Sequence, residues 1–533
     1  MHPRTSSRQK VCPLVHLGII KSFFPKLDFK TKAMGRKLRV LSGFFLFLFN
    51  LGCNNDPAPV ENYYTITITT DTGGMVDVES GLYLEGTELS ITATPDASHE
   101  FEKWEGDLES TSATLSITVD KALNLHASFT EVVEEPEDPD AEVTIFNADL
   151  IDDSGYILAI ENGQNSCYLL DHEGNKVFDW TFDRVLGQDI ELTPEGTLLG
   201  LFKDDTSPVA FGGQSGIIRE IDKDGNIIWE YILSNENEIT HHDLTRLPNG
   251  NVLVLVWERI PLADATAVGL NSTTDIFTEK IVEINPDTDE VVWEWKSWDH
   301  IVQDFNDQLD SFGDPMTEKN KINILYANLG VHEFVSSGDL MHANGIDYLP
   351  EQDIIAVSIN FFSEVWFIDH STTTEEARTG IGGQFNRGGD LLYRFGNQRV
   401  FGDIDSSHIF DFNHNPTFIS KDGQTSLLIF NNNAIAEQSS AMEFLLPEIN
   451  GTTAIGNDPV LLFEFTDDTL FFPRIGGASR LPNGNTLICE GDFGFWEVTA
   501  SGEVVWKYDG LGTPFWRGVF YSKESSEIQN LGI

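Results

Sequence analysis

Apolar and polar residues alternate along much of this chain with the two-residue period of a half-buried strand. The plainest case is Tyr63–Thr70, reading YYTITITT, with a turn behind it at Asp71-Thr72-Gly73-Gly74. Met75–Val78, Glu88–Thr94 and Thr114–Val119 read as further short strands of one small module. From Val143 onward the runs lengthen and a unit recurs at a period of about 65 residues. One half of the unit is a turn followed by an apolar strand. Examples are Thr193-Pro194-Glu195-Gly196 before Thr197–Phe202, Leu247-Pro248-Asn249-Gly250 before Asn251–Trp257, and Leu481-Pro482-Asn483-Gly484 before Asn485–Cys489. The other half is a hairpin ending on an aromatic residue, at Tyr168–Trp180, Arg219–Tyr231, Val282–Trp295 and Trp496–Tyr508. Trp180, Trp229, Trp293 and Trp506 recur in register, which marks them as packing between units. Antiparallel four-stranded units repeated around an axis make a β-propeller. About six units can be counted, including irregular ones at 342–395 and 412–465. The expected class is therefore all-β: a six-bladed β-propeller preceded by a small β module. Helix is expected only in the insert Trp298–Glu333, as a loop over one face of the ring.

Composition narrows the function classes. A chain of 533 residues with a formal charge of −52 repels nucleic acid, so no such partner is expected. Cys12 and Cys53 lie near the N-terminus, leaving Cys167 and Cys489 in the body, which is neither a disulfide framework nor a zinc motif. These two either stay free and buried or, if the ring brings its first and last repeats together, pair. Met34-Gly35-Arg36-Lys37-Leu38-Arg39 precedes an apolar run, Val40–Leu51, and then Gly52-Cys53. That order resembles a bacterial lipoprotein signal with Cys53 as the lipidated residue, since the run is too short to span a bilayer. It implies a protein of the bacterial cell envelope, held to a membrane through its lipid. Residues 1–53 are then an upstream extension and signal, 54–61 a tether, 62–131 the small module, 132–142 an acidic linker (VVEEPEDPD) and 143–533 the propeller.

Candidate chemistry gathers on histidines. Thr240-His241-His242-Asp243, Met341-His342-Ala343-Asn344 and Asn413-His414-Asn415-Pro416 each stand just ahead of a unit's first strand. In a propeller such segments converge on the mouth of the central channel. A histidine cluster there can bind a metal, act as general acid and base, or attack an electrophile. The spacing is not that of a local metal motif, and no phosphate loop or nucleotide fingerprint occurs, so neither metal nor cofactor is expected. His172, His300, His332, His370 and His408 read as satisfied core or turn residues.

Several longer stretches resemble the arylsulfate sulfotransferases. They are HHD-x-x-x-LPNGNVL from His241, H-x-N-x-x-D-Y from His342, SEVWFIDHSTTTEEA from Ser363, GGDLLYRFGN from Gly388, NHNPTFI around His414, and SRLPNGNTLI from Ser479. The resemblance implies a six-bladed propeller that transfers a sulfuryl group from an aryl sulfate to a phenol, without a nucleotide sulfate donor, through a sulfohistidine. It places His414 as nucleophile, with His342 and either His241 or His242 as sulfate-binding and acid/base groups. It also implies substrate contacts from Arg394, Asn360 and Asn344. Asn360 stands where the family carries an arginine. Loss of such a cation costs on the order of 10²–10³ in rate. Phe412-Asn413 and Asn431-Asn432-Asn433 depart from the family pattern as well. The alternative reading is a catalytically impaired propeller that binds a glycan, protein or small anion at the same mouth. Residues 62–131 resemble a divergent internalin-type B repeat through Gly86, Thr87, Pro95, Phe101, Trp104, Gly106, Ala127 and Phe129, which implies a spacer or adhesive module.

Overall fold

A computed structural model describes residues 62–96, 99–131, 142–329, 337–450, 455 and 457–533. The lipoprotein signal with Cys53, the tether, nearly all of the acidic linker and His332 fall outside the described residues. The chain divides into two compact units, Met1–Val133 and Glu134–Ile533.

The described residues of the first unit form seven short strands. Gly81–Leu84, Tyr63–Thr70, Leu123–Glu131 and His99–Gly106 form one sheet in that order, and Gly74–Val76, Glu88–Pro95 and Thr114–Thr118 form another. The alternation of Tyr63–Thr70 buries Ile66 and Ile68 while its threonines face out. Trp104 is fully buried among Ile66, Ile91 and Leu125, and its indole N–H donates to the Ala113 carbonyl at 3.2 Å. Trp104 is thus a core residue. Three strands were not evident in the sequence: Gly81–Leu84, His99–Gly106 and Leu123–Glu131.

The second unit contains six sheets of four or five antiparallel strands. Their innermost strands are Phe515–Ser522, Leu186–Leu192, Glu238–Arg246, Ala343–Leu349, Asn413–Lys421 and Gly476–Arg480. Each touches the next, and the sixth touches the first, which closes a propeller-like ring. Two separate exchanges join the ends. Val143–Phe146 adds a fifth, outermost strand beside Val504–Asp509. Phe515–Ser522, from the far end of the chain, is the innermost strand beside Gly155–Glu161. Radial repetition of this kind leaves only short, protected sheet edges.

The repeated tryptophans carry the packing between sheets. The Trp506 indole N–H donates to the His172 carbonyl, that of Trp293 to Thr372 Oγ1, and that of Trp229 to Asp289 Oδ1, each in the following unit. Trp506, Trp293 and Trp180 are buried; Trp229 is only half-buried. Cys167 and Cys489 are both free and buried. Helix is distributed differently from expectation. Among its described residues, the insert after Trp298 holds 3₁₀ turns and short parallel bridges such as Ile301–Val302 with Ile322–Asn323. The α-helices are Leu262–Ala267, Thr374–Ala377 and Ser526–Leu531. Asx turn bonds, such as Asn306 Oδ1 accepting from the Gln308 amide and Asp314 Oδ1 from the Met316 amide, compete with helix in the insert.

Burial sets the cost of losing each tryptophan. Trp506→Ala should cost about 3–5 kcal/mol in urea unfolding, whereas Trp229→Ala should cost clearly less. Equal losses at the two positions would show that burial between sheets is not what the repeated residue supplies.

Candidate active site

The inner strands share one irregularity. Register breaks at Leu186/Ile190, Thr240/Leu244, Ala343/Gly345 and His414/Thr417, near the start of four neighbouring strands. A bulge leaves a residue unpaired and re-aims its side chain. Within three of the breaks the backbone enters the left-handed region, at Gln188 (φ 110°), His242 (φ 53°) and Asn415 (φ 54°), and His342 (φ 55°) does so just ahead of the fourth. A non-glycine residue held there costs roughly 1–3 kcal/mol, and such strain clusters at functional sites. Opposite His242 stands Gly213, with φ +82°, where any Cβ would lie 2.0 Å from His242 Nε2. Only glycine leaves room for that ring.

The side chains of Gln188, His242 and His342 meet that of His414 at one cavity of about 410 Å³. His242, His342 and His414 all border it, with Asp339, Asn360, Gln188 and Arg474. The His242 and His342 ring centroids are 4.5 Å apart. Trp516, fully buried, has its ring centroid 5.8 Å from that of His242 and 6.0 Å from that of His414. Phe361 stacks on His342 at 4.6 Å.

Each ring is held by its Nδ1. Asn432 donates from Nδ2 to the carbonyls of Phe472 and Ile475, at 2.8 and 2.9 Å. Its Oδ1 is therefore turned to His414 Nδ1, 2.6 Å away. An amide oxygen only accepts, so the proton sits on Nδ1 and His414 Nε2 keeps its lone pair. Burial pushes the His414 pKa down to about 3, with the charges of His342 and Arg517 acting in the same direction against the Asn432 bond. The ring is thus neutral at physiological pH. Burial, followed by His342, His241, His414 and Arg517, likewise holds His242 well below its usual range. His242 Nδ1 lies 2.9 Å from His241 Nδ1, and His241 Nε2 lies 3.0 Å from Glu279 Oε2. That second pair is close but poorly aligned for a hydrogen bond. His342 Nδ1 pairs with Asp339 Oδ2 at 2.5 Å.

Farther along the same inner strands lies a second, smaller cavity of about 170 Å³. Arg517 lines it and is anchored to Asp243 (2.9 Å), Asp189 (3.3 Å) and the Asn344 carbonyl (3.1 Å). Burial raises Glu191 to about 8 and Asp347 to about 7 here. No group of His, Cys, Asp and Glu among the described residues is arranged to hold a metal ion.

The family model for arylsulfotransferase (ASST) matches residues 131–450, more than half of the chain. The chain belongs to the arylsulfotransferase family. A divergent InlB B-repeat domain matches residues 64–133. No curated protein matches the chain. Among solved structures, a Bacteroides caccae protein of unknown function is 12% identical, with 69% of this chain and 98% of that chain covered and a TM-score of 0.39. A putative 6-phosphogluconolactonase from Bacteroides fragilis is also 12% identical, with coverage of 69% and 99% and a TM-score of 0.36. Likenesses this loose carry no weight for fold or chemistry.

Not every residue expected at the arylsulfotransferase site lies on the cavity wall. His241 is fully buried behind His242, stacked on Trp257 at 4.0 Å, so His242 is the one of the pair that faces the cavity. Arg394 is also fully buried; its guanidinium is committed to Glu364 and to the Lys321 carbonyl, which makes it an internal ion-pair residue. Asn344 is buried as well, and its amide donates to the Asn413 carbonyl at 3.0 Å. Asn360 does line the cavity, but its amide donates to that same carbonyl at 3.2 Å. His172, His300, His370 and His408 each pair with a carboxylate: Glu497, Asp390, Asp353 and Asp411 respectively. Sequence reasoning missed Asp339, Asn432, Arg474 and Trp516. Asp339 stands three residues before His342, a spacing that was legible; the others join only through the ring.

Acid should act on His414 specifically. A histidine that titrates at 6.5 when unfolded and near 3 when folded binds its proton more tightly in the unfolded chain. Stability is then complete above the unfolded value and is lost as pH falls from there towards the folded one, by up to about 1.4 kcal/mol per pH unit. His414→Gln should flatten the acid limb of a stability–pH curve relative to the parent. Glu191 and Asp347 are common to both proteins and cancel. Parallel curves would mean that His414 is not held neutral by its surroundings.

Proposed function

We propose that this protein is an arylsulfate sulfotransferase with His414 as its nucleophile. The observation that carries the reading is the meeting of His242, His342 and His414 on a single cavity, with His414 neutral and its Nε2 unprotonated. A neutral imidazole is the form that can attack sulfur. His414 Nε2 forms a bond to sulfur as the bond from sulfur to the phenolic oxygen breaks. The leaving phenolate takes a proton from His342, whose Nδ1 is steadied by Asp339. An acceptor phenol then attacks the same sulfur, the N–S bond breaks, and the phenol's proton returns to His342. Substrate for each half-reaction is aryl in character, in keeping with Phe211, Phe361 and Phe412 on the wall. His241, stacked on Trp257, steadies the third imidazole through the contact between the Nδ1 atoms of His241 and His242.

A second reading is favoured by Asn360, whose amide is spent on a backbone carbonyl. On that reading the cavity holds an anion, a glycan or a protein without turning it over. Incubation with 4-nitrophenyl sulfate and a phenol separates the two. The parent should release 4-nitrophenol, with a sulfuryl adduct on the peptide carrying His414, and His414→Ala should lose at least 10²-fold, the order expected when a nucleophile is removed. Identical background rates in both proteins leave the binding reading standing.

The N-terminal pattern supports an envelope location, with the protein anchored through lipid on Cys53. Cell fractionation tests this: the parent should sediment with membranes and Cys53→Ser should not. Membrane retention of the variant would refute the anchor.

A further inference from the structure

A sulfate ester brings a negative charge into this cavity, and the wall offers little to meet it. His242 and His414 are held neutral by burial, and His342 is already paired with the Asp339 carboxylate. Arg517 lies one cavity away and is occupied by Asp243 and Asp189. Arg394 is locked to Glu364. Of the residues that line the cavity, Arg474 alone is a lysine or arginine. It is exposed, and among the described residues no hydrogen bond or ion pair engages its guanidinium.

The position of Arg474 is set by its neighbours. The carbonyls of Phe472 and Ile475, on either side of it, both accept from Asn432 Nδ2, while the Oδ1 of that same amide holds His414. The Phe472 amide is pinned in turn by Ser439 Oγ at 3.1 Å, and Ser439 Oγ donates to the Asn432 carbonyl at 2.9 Å. One asparagine therefore sets both the tautomer of His414 and the place of the arch that presents Arg474. A guanidinium on a braced arch, bordering the same cavity as a neutral imidazole, is suited to a tetrahedral oxyanion.

We propose that Arg474 is the substrate-binding cation of this site, and that it selects an ester with one negative charge, a sulfate, over the dianionic phosphate. This deepens the sulfotransferase reading and rests on it for the identity of the ester. Arg474 meets the oxygens of the sulfuryl group while His414 approaches its sulfur. Arg474 lies beyond the matched family span, which ends at 450.

Binding is measured by equilibrium dialysis of 4-nitrophenyl sulfate against the full chain carrying His414→Ala, so that no turnover intervenes. Adding Arg474→Ala should weaken binding roughly 10- to 100-fold. Arg474→Lys should retain part of the affinity. Asn360→Arg, placed in the Arg474→Ala background, should restore part of it by returning a cation to the same cavity. Arg474 is exposed, so the melting temperature should not move. Affinity within twofold of the parent after Arg474→Ala overturns the assignment, whatever the turnover of the native protein. Retained dependence on Arg474 in a protein that turns over no sulfate ester would instead leave the assignment in place and remove the enzyme reading. Tighter binding of 4-nitrophenyl phosphate than of the sulfate overturns the selection for a single charge.

Discussion

The site depends on a backbone constraint. Near the start of four adjoining inner strands, the sheet ladder loses its register and a residue turns into left-handed backbone. In a regular strand successive side chains point to opposite faces, into the packing between neighbouring sheets. The break swings His242 out of that alternation, and His342 turns toward the same cavity just ahead of its own strand. His414 reaches the same space at the start of its own strand, next to the left-handed Asn415. Strain of this kind persists only where the surroundings over-determine it. Here the surroundings are the inner strands themselves, closed into a ring whose two ends are tied by different strands.

Low polarity is the second determinant. Three imidazoles brought this close cannot all be charged, because burial and mutual repulsion act in the same direction. His242 and His414 yield and stay neutral, whereas His342 has the Asp339 carboxylate beside it. Environment thus divides three identical side chains into different chemical roles. Below them, Arg517 and its carboxylates form a buried polar layer that binds the HHD segment to the last inner strand through Asp243. That layer is a property of the ring, since Arg517 bonds to residues 173 to 328 positions away.

Much of the fold was legible because its signals are local. The period-two alternation of Tyr63–Thr70, the turn pairs with Gly250 and Gly484, and the recurring Trp293 and Trp506 follow from backbone sterics and burial within a few residues. The histidine segments were legible too, since each precedes a recognisable turn-and-strand unit. Arg394 illustrates where such reasoning stops. Its position after an apolar strand matched a motif, but Glu364, thirty residues earlier and in the adjacent strand's pairing frame, consumes its charge. A sequence motif cannot report which partner an arginine meets.

By itself, the sequence determined the all-β class, the repeat and the histidines that would face a channel, because strand pairing and turn chemistry act over short distances. Only tertiary structure decided that His242 rather than His241 reaches the cavity, that Asn432 sets the His414 tautomer, and that Arg474 is the cation on the wall. Those outcomes turn on hydrogen bonds and desolvation among residues that share no local pattern. They come together only when the ring closes.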